Sequence, residues 1–232
     1  MTGGDAAIIV VDGDIPVTLR RHARARRMTL RVSRSDGGVV LTMPLRADPA
    51  AARAFAVSRA GWLRQTRSAM PVPRTVVPGS ALPVEGRDRI VTPGPVRTVA
   101  LDADVLMVPD HRPVGPLLEA WLKHRARDRL AAACDRHVAV LGRGFAAITL
   151  RDTRSRWGSC THDGRLMFSW RLAMAPPAVL DYVAAHEVAH LAHMDHSPRF
   201  WGEVERLLPE HAAHRAWLRR HGGDLLCWRF RD

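Results

Sequence analysis

The chain has 232 residues, of which 47% are hydrophobic, enough for one large or two small folded domains with a real core. Its formal charge of +12 comes from arginine, since Lys123 is the sole lysine, and a field of that sign attracts nucleic acid, nucleotides or acidic surfaces. No uncharged run is long enough to span a bilayer, and the first residues lack the basic region and apolar length of a secretory signal. Cys134, Cys160 and Cys227 are odd in number and have no C-x-x-C spacing. The sequence therefore argues against a membrane protein, a disulfide framework and a four-cysteine zinc site, and the expected compartment is the reducing cytoplasm.

The predicted elements begin with strands. Ile8 to Val11 and Val17 to Leu19 are short apolar pieces, and Met28–Val32 and Val39–Met43 alternate about Ser35-Asp36-Gly37-Gly38 as a hairpin. Asp48-Pro49 opens one helix to about Met70, with Ala54, Phe55, Val57, Ala60, Gly61 and Leu63 expected on its buried side. From Pro71 to Pro113 the chain is rich in proline and glycine, with short strands near 81–84, 89–92, 96–101 and 105–108. A long helix follows from about 110–116 to Leu141, where Gly142 stops it. The expected division is a β-rich domain with one helix over residues 1–110 and a catalytic domain over 111–232.

The basic charge is diffuse. Apart from Arg20-Arg21 to Arg26-Arg27 there is no long basic run, and one tyrosine and five phenylalanines offer few stacking platforms for single strands. A nucleic-acid partner and a plain excess of arginine explain it equally well.

Two strands are expected at Ala147–Arg151 and Leu166–Leu172, joined through Ser155-Arg156-Trp157-Gly158-Ser159-Cys160. The second could present a free edge to an extended peptide. Pro176-Pro177 then starts a helix with few charges, and a helix apolar nearly all round is a buried one.

That helix carries the chemistry. His186, Glu187 and His190 form H-E-x-x-H, which places two imidazoles one turn apart on one face and a carboxylate beside them. Two nitrogens can share a metal ion, and the glutamate can take a proton from a metal-activated water. His193 continues the same stripe. Three ligands strung along a straight helix cannot easily surround one tetrahedral ion, however, so the third is expected from His196, beyond a turn at Met194-Asp195. Ser197-Pro198 reads as the cap and first residue of a further helix. Arg156 and Tyr182 are candidate donors to a developing oxyanion, Arg156 and Trp157 candidate substrate contacts, and His211 and His214 could approach the site.

The run R-x-R-W-G-S-C from Arg154, then S-W-R-L, A-P-P, L-D-Y-V-A-A-H-E-V-A-H-L and D-H-S-P-R-F-W, resembles the YgjP-like, SprT/WLM-related group of predicted zinc metallopeptidases. The similarity extends to the arginine-rich stretch near Arg20. The resemblance implies an α+β fold, with a zincin-type catalytic domain preceded by a small β-rich domain. It also implies one Zn2+ per chain held by His186, His190 and His196, with Glu187 as general base. Three substrate classes follow: peptides, nucleotides cleaved at a phosphoanhydride with arginines as clamps, and proteins bound to nucleic acid as the SprT side of the resemblance suggests.

Overall fold

The computed structural model describes residues 7–33, 37–68, 70 and 72–231. It is a mixed α+β structure of two compact units, residues 1–72 and 73–232. In the first unit, β1 (Ile8–Val11), β2 (Ile15–Arg21), β3 (Thr29–Val32) and β4 (Val39–Met43) form one sheet in the order β1-β2-β4-β3. β3 and β4 pair antiparallel as expected of the hairpin, whose turn at Ser35-Asp36 lies outside the described residues. β2 pairs parallel with β4. Strand alternation sends Ile15, Val17 and Leu19 to the same buried face as Val39, Leu41 and Met43.

The helix predicted from Asp48 is two helices, α1 (Pro49–Ser58) and α2 (Ala60–Ser68). Asp48 caps the first, its carboxylate accepting from Ala50 N at 2.9 Å. Ser58 ends it by donating its hydroxyl to the Phe55 carbonyl at 2.8 Å, a side-chain bond that competes with the helical ladder. The buried residues are Ala52, Ala56 and Leu63, whereas Ala54, Val57 and Gly61, expected inside, are exposed. The register differs because small alanines, rather than the larger apolar residues, let the helix approach the sheet.

The second unit starts with β5 (Arg74–Thr75), then β6 (Ala81–Val84), β7 (Arg87–Gly94), β8 (Ala100–Leu101) and β9 (Val105–Pro109). The last four form a sheet in the order β6-β7-β9-β8. Glu85 and Gly86 join β6 to β7 with φ of 53° and 78°, the positive pair a tight hairpin turn needs. The long helix α3 (Val114–Leu141) buries Leu118, Leu122, Ala126, Leu130, Ala133 and His137, a stripe at steps of three and four. Gly142, at φ 76°, ends it. Leu82, Val84, Val91, Leu106 and Val108 share one core with that stripe, so the boundary expected near 110 falls inside this unit.

β10 (Ala147–Arg151), β11 (Gly158–Cys160) and β12 (Arg165–Ser169) follow, in the order β10-β12-β11, with β10 parallel and β11 antiparallel to β12. The strand predicted to reach Leu172 stops at Ser169 and becomes a 3-10 helix over Trp170–Met174. All five residues of that helix are buried, which a strand packed on one face alone does not achieve. Arg171 is the costly member, and it is fully engaged. Its guanidinium meets Asp152 at 2.6 Å and the carbonyls of Leu225 and Trp228 at 3.0 and 2.9 Å. Helices α4 (Pro177–Ala189), α5 (Pro198–Leu207) and α6 (His211–Leu226) complete the unit, and β13 (Trp228–Arg229) pairs parallel with β5. Among the described residues no helix is long and apolar enough to cross a membrane.

Candidate metal centre

Pro177 occupies the first turn of α4, where its missing N–H costs nothing. The helix packs between α3, α5 and α6 and buries Val179, Leu180, Val183, Ala184, Ala185, Val188 and Ala189. It ends at Ala189, earlier than the predicted turn at Met194, with tightened three-residue bonds from Leu191 N to the Val188 carbonyl at 2.9 Å and from Ala192 N to that of Ala189 at 3.1 Å. The chain then reverses. Asp195 accepts from Ser197 N at 3.2 Å, and Ser197 in turn caps α5 by accepting from Phe200 N.

The reversal returns His196 to α4. Its ring lies 5.2 Å from that of His186 and 4.8 Å from that of His190, with 3.2 Å between the Nε2 atoms of His186 and His196. One nitrogen from each of the three rings lies within 4.8 Å of the others, a set that could hold a metal ion. Two ring nitrogens facing at 3.2 Å require a proton or a cation between them. His193 contributes no ring to this set. Its carbonyl lies 2.9 Å from Nδ1 of His190, which as donor leaves Nε2 free as a ligand.

Electrostatics favour neutral imidazoles. Burial, then the neighbouring His190 and His196, push His186 down to about 3, and burial also lowers His190. Phe200 supplies much of that enclosure, with its ring 4.4 Å from His190 and 4.9 Å from both His186 and His196. Trp201 adds to it at 5.7 Å from His186. Both residues close the D-H-S-P-R-F-W run, which on its own assigns them no part in the site.

Glu187 is only 4% exposed, and its Oε2 has no hydrogen-bond partner. Burial raises the carboxyl to about 8, against the nearby positive charge of Arg156. Such a group keeps its proton at neutral pH unless a cation lies close by, so an orphaned buried carboxyl beside three imidazoles fits a metal site. Gly158 of β11 makes the position possible, because a Cβ there would lie 2.4 Å from Glu187 Oε1 and 2.6 Å from its Cγ. Gly158→Ala is therefore expected to displace the carboxyl and lower kcat about 100-fold, with metal content unchanged. Metal analysis beside kcat checks this, and an unaltered kcat would show that the carboxyl's position is not critical.

The cleft is lined by Gly158, Ser159, Cys160, His186, Glu187, His190, Met194 and His196. Burial and then the Glu187 charge hold the Cys160 thiol up at about 11, which favours the protonated form. Arg156 is exposed, and Trp157 turns toward α6, where its ring leaves no room for a Cβ on Gly222. Tyr182 is buried with its ring 6.0 Å from His186, and burial raises its hydroxyl above the ordinary value. His211 stacks on Trp201 at 5.7 Å and meets Glu205 through Nε2 at 3.0 Å, while His214 is half-buried on α6.

A search of curated proteins gives no match. Among solved structures, the metallopeptidase zymogen of Pyrococcus abyssi abylysin is similar at 21% identity and a TM-score of 0.35, over 39% of this chain and 93% of that one. The model of the YgjP-like metallopeptidase domain matches residues 26–221, a span that contains the whole cleft. The chain belongs to the YgjP-like metallopeptidase family.

Proposed function

We propose that the protein is a zinc-dependent metallopeptidase of zincin type, with His186, His190 and His196 as ligands of one Zn2+ and Glu187 as general base. The observation that carries this reading is the convergence of three imidazole nitrogens within 4.8 Å, one residue away from a buried, unpartnered carboxyl. Three nitrogen donors with an open fourth position suit catalytic zinc. When bound, the metal supplies Lewis acidity to the scissile carbonyl and the attacking water.

The chain's own groups do the rest. Glu187 takes the proton of the attacking water at Oε2 and returns it to the leaving nitrogen, while Gly158 leaves the space that Oε1 occupies. Enclosure by Phe200 keeps His186 and His190 neutral. The strand before the metal helix, expected to present the free edge, is β12, which is paired on both sides; β11 is instead the end strand and lies along the cleft, so its free edge can align an extended peptide over the centre. Arg156, exposed near Glu187, is a contact for the substrate or the developing oxyanion.

The test offers the zinc-loaded protein an unfolded casein-like chain, nucleoside triphosphates, and protein bound to DNA, all in parallel. Cleavage of the unfolded chain alone is the expected result. Triphosphate hydrolysis without proteolysis would replace the peptidase reading with phosphoanhydride hydrolysis at the same centre. Cleavage only of the DNA-bound protein would favour a nucleic-acid-directed protease.

A further inference from the structure

Arg215 on α6 is exposed, yet it is anchored: its guanidinium carbon lies 4.5 Å from the centre of the Trp201 ring. Trp201 itself lies 5.7 Å from the His186 ring and 6.1 Å from that of His196. A single indole therefore separates a fixed positive charge from two of the proposed metal ligands. His211, one turn earlier on the same face of α6, stacks on that indole too and occupies the nearby carboxylate of Glu205 at 3.0 Å. Among the described residues Arg215 has no carboxylate partner, so its N–H groups are not consumed by the protein.

Two alternatives explain this less well. Were Arg215 part of the packing, it would have an acidic or carbonyl acceptor, as Arg171 has with Asp152, Leu225 and Trp228. Exposed arginines stack on rings elsewhere in the chain, as Arg59 does on Phe55, but the ring under Arg215 also lies against His186 and His196. A cation unpaired beside a divalent metal is electrostatically unfavourable until an anion arrives, and a guanidinium is shaped to grip carboxylate or phosphate with two parallel N–H groups.

We propose that Arg215, carried on Trp201, is a substrate-binding residue that grips an anionic group of the substrate, a carboxylate or a phosphate, while the reacting bond lies at the metal. This rests on the metallohydrolase reading above and adds to it a preference for negatively charged substrates. Trp201 is the platform that sets the distance between that anion and the centre.

The experiment uses Arg215→Gln, which keeps an aliphatic stem over Trp201 but removes the charge, and Arg220→Ala as a control for the general positive field. Zinc-loaded proteins are titrated calorimetrically with three probes: a peptide hydroxamate bearing a free C-terminal carboxylate, its C-terminal amide, and tripolyphosphate. The parent should bind the carboxylate form about tenfold tighter than the amide, as a charge-assisted bond requires. Arg215→Gln should erase that difference while leaving amide binding and zinc content unchanged. If the anion is phosphate, the same variant should instead weaken tripolyphosphate about tenfold, which supports the proposal and names the source. Unchanged carboxylate preference and unchanged tripolyphosphate affinity in Arg215→Gln overturn it. An equal loss in Arg220→Ala also overturns it, by showing a diffuse field. Failure of the amide hydroxamate to bind the parent would remove the metal-centre reading itself, and this proposal with it.

Discussion

Glu187→Gln should reduce turnover by about a thousandfold or more while the variant still binds zinc, because an amide of the same shape cannot accept a proton from water. The fold tolerates the change, since the residue is buried among α4, β11 and the imidazoles without any hydrogen bond to its Oε2. A second readout comes from the metal-free protein. There the carboxyl titrates at about 8 against an ordinary 4.5, so below pH 4.5 it is neutral in both folded and unfolded chains and contributes nothing. Between those values only the unfolded chain loses its proton, and stability falls as pH rises; above about 8 the loss is complete. Glutamine has no such dependence. The melting temperature of the metal-free variant should therefore gain on that of the parent as pH rises from 4.5 to 8. Equal turnover of both proteins on a verified substrate would remove Glu187 as the base, whatever the melting curves show.

His196→Ala is expected to lower zinc affinity by more than about 100-fold, beyond the usual cost of losing only a partner hydrogen-bonded to a ligand. Zinc-dependent thermal stabilisation should vanish with it, because the metal stabilises only the state that binds it. His193→Ala should retain nearly normal affinity. The contribution of His193 is its backbone carbonyl, 2.9 Å from His190 Nδ1, and alanine keeps that group. Chelator competition on the two variants measures both affinities. The opposite ranking would mean that the third ligand comes from residue 193 and that the reversal at Asp195 opens in solution.

Much of the site can be read from sequence because its signals are local. The spacing of His186 and His190 is a helical turn, Ser197-Pro198 is a cap signature, and a ligand between a helix end and the next cap must lie off the first helix's axis. The helix end itself was misplaced, since the bonds that stop α4 at Ala189 run within a sequence that still looks helical. Longer-range features left less trace. That Gly158 yields its side-chain space to Glu187, and that Arg215 stands on Trp201, depends on tertiary placement of β11 and α6. The same limit explains the fold differences. Strands 81–108 looked like part of a first domain because proline and glycine dominate locally, but Val84, Val91 and Leu106 find their apolar partners on α3. A period of two predicted a strand through Leu172, whereas the packing demand on Arg171 turns the chain into a 3-10 helix.

The parallel pairing of β13 with β5 sets an order of events during synthesis. Arg74 has Trp228 as its strand partner, and Phe230 lies so close to Gly115 at the start of α3 that a Cβ there would meet its carbonyl oxygen at 2.3 Å. β5 must therefore wait for β13, more than 150 residues later, to leave the ribosome before it can pair. His196 is made before Phe230, so at ordinary elongation rates the three imidazoles exist for roughly a few seconds before the closing strand can dock. Translation thus leaves a brief interval in which the lining of the cleft is already made while β5 still lacks its partner strand.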